Sequence, residues 1–328
     1  MAMNSTTVLK KLLVRNVISE GQSQLIESFL ASRTFSVFNE LRFILYGGML
    51  LLTSGLGVIV YENIDTIGHQ VIIAFIALVS AACFFHAFKN RLLFSWSKTT
   101  GSNKLADYSL LLGCVTFLIL EGYLQYQYEV FGTKHGFAVI IPTLMFFFCA
   151  YRFDHTGVLS MALTGLASWL GLTIAPLSLL SGNDFTDQSL LLSAIILGCC
   201  MTVFSKVSET RDIKKHFAFT YLFLGGNLAA VAATAGLLNH DFKIVYFTVS
   251  AILTVYFIIQ ARNNQWAVFL LMGVIYGYIV FTYALFKITS ESLVRVFMLY
   301  YFLFSSIGVL LFLLNFKKFL GSKNEKGL

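Results

Sequence analysis

The chain has 328 residues, of which 57% are hydrophobic and only 12% charged, and it carries a net charge of +7. Ordinary soluble domains hold about 25% charged residues, so a water-soluble fold is excluded: too little polar surface exists to cover this much oil. The positive excess follows a membrane-topology pattern set out below, and no nucleic-acid partner is expected from it.

Residues 1–38 differ in kind from the rest. In "STTVLKKLLVRNV", Leu9, Leu12, Leu13 and Val17 recur at helical spacing, with Lys10, Lys11 and Arg15 on the opposite side. In "SEGQSQLIESFLASR", Ser19 and Gln22 form a capping-box pattern ahead of the apolar Leu25, Ile26, Phe29 and Leu30. The expectation is a short cytosolic hairpin of two amphipathic helices. Three uses for it stay open: packing on the protein's own loops or on a second copy, lying on the inner leaflet, or docking a protein partner.

Residues 39–318 read as a transmembrane helical domain, followed by a basic cytosolic tail at 319–328. Apolar runs of about 20 residues, each enough to cross a hydrocarbon core about 30 Å thick, lie at 41–61, 69–88, 106–126, 135–152, 157–180, 188–205, 217–238, 243–261, 265–286 and 294–316. They lack the alternation of barrel strands, so helices are expected, about ten in all. With the N-terminus inside, all of the 23 Lys and Arg residues except Lys134, Lys243, Lys287 and Arg295 fall on the cytoplasmic side. The fold class is therefore an all-α, polytopic helical membrane protein with both termini cytoplasmic. Membrane lipids are the first expected partner. No cleavable signal peptide is expected, and the five cysteines, all within the runs, read as small hydrophobes.

Few residues break the apolar pattern. Glu121 sits inside "LLLGCVTFLILEGYLQYQY", with Gln125 one turn later. A carboxylate there costs a few kcal/mol near mid-membrane, so it marks either a proton- or cation-linked path or a side chain reaching interfacial water. Asn227 lies in "GGNLAAVAATAG", where small residues repeat every four positions and predict a close, central helix. It reads as interhelical glue or as a ligand contact. Asn63 and Asp65 end the first run, either as a solvated helix end or as a site shared with Asp241, His69 and His240. Arg295 stands on the external side against the charge rule, in reach of Glu291 or an acid such as Glu62. Pro142 and Pro176 would interrupt helices four and five. The stretch 47–65 echoes 224–243, as a parallel repeat or as shared boundary habit. No metal, cofactor or catalytic motif is found in the sequence, and no enzymatic role is favoured.

Ile18, Ser19 and Gln22, followed by Gly47, Gly48, Gly55, Gly57, Asn63 and Asp65, carry a resemblance over about the first 65 residues. In these positions the chain resembles the bacterial membrane-protein family catalogued as domain-of-unknown-function 2157, with Ile64 where that family has a tryptophan. The resemblance implies a bacterial inner-membrane location and a cytosolic helical segment ahead of a glycine-rich first span; the family has no assigned activity. Two functions are expected on these grounds: permeation of a small solute or lipid along a polar path near Glu121, or a non-catalytic scaffold docking a partner through residues 1–40 and the basic loops 89–104 and 205–216.

Overall fold

The structure is a computed structural model and describes residues 13, 19–31, 43–44, 47–48, 51–52, 54–55, 57–58, 62, 68–99, 104–132, 134–174, 186–288 and 291–319. The chain divides into two compact units, Met1–Ile72 and Ile73–Leu328. In the first, helix α1 (Glu20–Ala31) begins with the expected capping box. The Gln22 amide donates to Ser19 Oγ at 3.3 Å, and the Ser19 amide donates to Gln22 Oε1 at 3.0 Å. Leu25 and Ile26 stay exposed on it. Leu13 is helical, while the rest of the expected first amphipathic helix lies outside the described residues. Every described residue between 43 and 62 is helical, in keeping with a first span there.

The helices that follow are α2 (His69–Lys89), α3 (Lys104–Tyr128), α4 (His135–Phe153), α5 (Thr156–Ile174), α6 (Gln188–Thr210), α7 (Ala218–Asn239), α8 (Lys243–Asn264), α9 (Ala267–Ile288) and α10 (Glu291–Phe319). A single 3₁₀ turn, Lys215–Phe217, leads into α7. Eight of the described helical segments are long and apolar enough to cross a membrane, with mean hydropathy from 1.6 to 2.5. Helix α10, 29 residues long, covers the last expected run. The chain is an all-α polytopic membrane protein. Outward-facing Phe75, Leu78 and Phe85 on α2, Leu144 and Phe148 on α4, and Ile244 and Ile252 on α8 are exposed, which is tolerable only against lipid.

Helix α7 is the hub that its small-residue stripes predict. Within the 25-residue span that contains it, 61% of the most apolar window is buried, against 17–39% for the other spans. It contributes to three apolar clusters: Tyr221 with Phe146 and Leu159, Leu222 and Ala230 with Phe257 and Phe269, and Ala233 and Leu237 with Ile195 and Tyr246. Its closest neighbour is α6. A Cβ on Gly198 would stand 2.5 Å from the Gly225 carbonyl oxygen and 2.7 Å from the Ala229 amide, and a Cβ on Gly225 would strike Met201. Two backbones meet here because neither helix has a side chain in the way. Farther along, Gly226 gives room to Phe257 and Gly236 to Tyr246, which seats α8.

Pro142 is buried inside α4, where it removes one backbone donor. The next residue, Thr143, donates its hydroxyl to the Val139 carbonyl at 2.6 Å, and a Cβ on Gly165 of α5 would strike that same hydroxyl. The proline is thus packed over by the neighbouring helix. Pro176 lies outside the described residues.

Replacing Gly198 with valine forces backbone apart from backbone and is expected to cost at least the about 1–3 kcal/mol of an overpacked core. Gly122, whose Cβ position has nothing within 4 Å, supplies the control: Gly122→Ala should be neutral or stabilising by about 0.5–1 kcal/mol. Unfolding midpoints of the two variants in detergent check both.

Candidate functional site

The connections at one end of the bundle converge on a single acid. Asp154 is the first of the two residues between α4 and α5 and sits in the left-handed region, φ 60°, ending α4. Its side chain is only 3% exposed. Lys214, from the α6–α7 connection, donates to Asp154 Oδ1 at 2.9 Å and is itself 1% exposed. His216 Nε2 donates to the same oxygen at 2.6 Å. The α2–α3 connection supplies the rest, with the Thr99 amide at 2.6 Å and its hydroxyl at 3.0 Å, both donating to Oδ2. Both carboxylate oxygens are therefore satisfied, the condition under which a buried ion pair is tolerated.

Local sequence explains why these groups arrive. A helix ending in a left-handed residue favours Asp or Asn among non-glycine types. Lys214 too has positive φ, 50°, and its amide donates to the Trp96 carbonyl at 3.0 Å. Ser208 Oγ donates to the Ile213 carbonyl at 2.6 Å, folding the chain back at the end of α6. The Lys214 ammonium lies 5.2 Å from the Phe94 ring centroid and 6.0 Å from that of Phe217, so aromatic faces shield its charge from water. Arg152 fastens the α2–α3 connection again, donating to the Leu92 carbonyl at 2.9 Å. Next in line, His155 accepts the Val158 amide on Nδ1 at 3.1 Å, an N-cap for α5 made by an imidazole.

Burial alone would raise the Asp154 pKa, but the Lys214 ammonium, the two Thr99 donors and nearby His216 outweigh it and hold the carboxyl below its ordinary value. At His155, burial lowers the pKa against the pull of Asp107, and a neutral ring is what accepting an amide proton requires.

The residues singled out from the sequence lie elsewhere. Glu121 is buried on α3, and its Oε2 has no hydrogen-bond partner among the described residues. Gln125 is buried one turn on and serves the α3–α4 connection. Its Nε2 donates to the Gly132 carbonyl at 2.8 Å, and its Oε1 accepts the Phe131 amide at 2.9 Å. Half-buried Asn227 accepts a hydrogen bond from the Tyr276 hydroxyl, joining α7 to α9. Glu121 and Gln125 thus share one stripe, whereas Asn227 belongs to a different helix pair. Asn63 and Asp65 lie outside the described residues, as does the Arg295 side chain. His240 donates to the Thr186 carbonyl at 2.5 Å, and no metal-holding cluster occurs among the described residues.

Sequence reading missed Asp154 as a site. The available signal was an acid in a two-residue helix connection, "RFDHTG", at the end of the bundle where Lys and Arg collect. His216 reads from sequence as an interfacial residue; the structure binds it to that acid.

Removing one partner of a buried pair leaves the other uncompensated, so Lys214→Met is expected to cost about 3–5 kcal/mol. The Asp154→Asn/Lys214→Met double variant should lose less than the sum of the singles, as measured by unfolding in detergent.

Acidification should act in two stages. The folded chain binds a proton at His155 less readily than the unfolded chain, so stability is full above about pH 6.5 and declines below it. Asp154 adds stability that is present above about pH 4 and is lost as pH falls through its depressed folded value. Unfolding midpoints measured between pH 8 and 3 should show both falls, and His155→Asn should abolish the earlier one.

The model of the family described as "Predicted membrane protein (DUF2157)" matches residues 10–159, well past the first 65 residues and a little under half of the chain. No curated protein and no solved structure matches. From residue 10 through Asp154 to the first turn of α5, the chain is similar to this family of predicted membrane proteins.

Proposed function

We propose that this multi-pass protein resides in a bacterial inner membrane with both termini cytoplasmic, and that it acts as a non-catalytic scaffold presenting a fixed basic face to an acidic partner protein. The observation that carries the reading is the three-way closure on Asp154. Loops are ordinarily the mobile parts of a protein, yet here the connections after α2, α4 and α6 are clamped by one buried ion cluster. What they display is mostly cationic: Arg91, Lys98, Arg211 and Lys215 are exposed, against one exposed acid among the described residues of these connections, Asp212, beside Lys215 at 3.8 Å. A pre-ordered charged surface lowers the entropic cost of association and steers an oppositely charged partner. The exposed Leu25 and Ile26 of α1 supply a second, apolar docking element. Placing the basic end in the cytoplasm follows the rule that short loops rich in Lys and Arg stay inside.

Proton- or cation-linked permeation is the second reading. One observation favours it, the buried Glu121 carboxylate with an unpartnered oxygen, since intramembrane acids usually mark ion paths. Against it, Gln125 is spent on a loop and Asn227 on a tyrosine, and the cavities described in this bundle are lined by none of the three.

A photo-crosslinking residue at position 98 in living cells should yield one discrete protein adduct, and charge reversal of Arg91 and Arg211 to Glu should abolish it. Proteoliposomes loaded with a pH-sensitive dye should show no flux that depends on Glu121. Absence of an adduct, together with a proton flux lost in Glu121→Gln, would replace the scaffold with the permeation reading. For orientation, Ser97→Cys in a protein whose native cysteines are changed to alanine should react with an impermeant maleimide only in inverted vesicles.

A further inference from the structure

Beside the Asp154 cluster lies a cavity of about 600 Å³, walled by the end of α2, the start of α3 and the α4–α5 connection. Its size is within the about 300–1,000 Å³ of ordinary small-molecule sites. Five cations line it: Arg91, Lys98, Lys104, Arg152 and Lys214. Two acids also line it, but they do not count equally. Asp154 is already neutralised by Lys214 at 2.9 Å, with His216 bonded to the same oxygen at 2.6 Å, so Asp107 is the one lining acid left to the other four cations. Arg152 spends Nη1 on the Leu92 carbonyl and keeps its other donors, while Arg91 and Lys98 have no protein acceptor among the described residues. Cationic side chains gathered around a concavity without enough anions to pair them repel one another, and that repulsion is relieved when an anion enters.

We propose that this cavity binds a phosphate group, either free or as the headgroup of an anionic phospholipid. Guanidinium and ammonium groups together satisfy phosphate oxygens, arginine through paired N–H donors and lysine as a point charge. The first turn of α5 begins at Thr156, which also lines the cavity, and the positive end of the helix dipole there favours an anion. The setting suits a lipid too. The cavity lies at the ends of apolar spans, where headgroups reside, and Leu92 and Leu93 at its wall are exposed, the latter by 91%. This inference goes beyond the scaffold reading and does not depend on which compartment the basic end faces.

Isothermal titration of the full-length protein in a nonionic detergent tests it, using dihexanoyl phosphatidylglycerol and inorganic phosphate as probes and dihexanoyl glycerol as the phosphate-free control. Saturable binding of a phosphate probe is expected, with none of the control. Arg91→Ala and Lys98→Ala, both at exposed side chains, should each weaken it about tenfold, the size expected for one lost charge-assisted hydrogen bond. Lys215→Ala, at the same end but outside the cavity, should leave it unchanged. Binding of phosphatidylglycerol alone assigns the headgroup; equal binding of inorganic phosphate assigns the free ion. No saturable binding of either probe, or binding unaltered in the Arg91→Ala/Lys98→Ala double variant, would overturn the proposal.

Discussion

Inside a bilayer a backbone amide has no water to bond, so every span must close its hydrogen bonds within itself, and apolar burial no longer pulls one helix onto another because lipid is equally apolar. What remains to hold the bundle together is contact distance and the occasional polar bond. The α6–α7 pair shows the first, with Gly198 and Gly225 bringing backbone against backbone. The Asn227–Tyr276 bond between α7 and α9 and the Tyr151–Tyr221 hydroxyl pair at 2.9 Å between α4 and α7 show the second. Helix α7 takes part in all three contacts, which is why it is the most enclosed span and why α4, α6, α8 and α9 are arranged around it.

Much of this was legible in the chain. Hydrocarbon thickness is a constant, so runs of about 20 apolar residues announce their own length and number. The stripes of glycine and alanine in "GGNLAAVAATAG" announced that something would approach closely. The capping box at Ser19 and Gln22 did the same for α1. These features are local, governed by neighbours three or four residues away.

The Asp154 cluster was not legible for the opposite reason. Its members are 55, 60 and 62 residues apart in sequence, and each taken alone is an unremarkable polar residue at a helix end. Only the alternation of spans through the membrane brings them to one place. Glu121 shows the converse. Its rarity in an apolar run flagged it from sequence, but sequence could not say that its neighbour Gln125 would turn away to hold the next loop. Pro142 stands out in the sequence as a lost donor, but nothing there says that Thr143 beside it would be packed against Gly165 of the next helix.

The spacing of the cluster also bears on biogenesis. Asp154 leaves the ribosome long before Lys214 and His216 exist, so for the time it takes to make and insert α5 and α6 this acid has no cation to neutralise it from the far connection. Its burial must therefore wait, and with it the final shape of the turn between α4 and α5. The earlier half of the bundle cannot reach its finished form by itself; the later half carries the key that closes it.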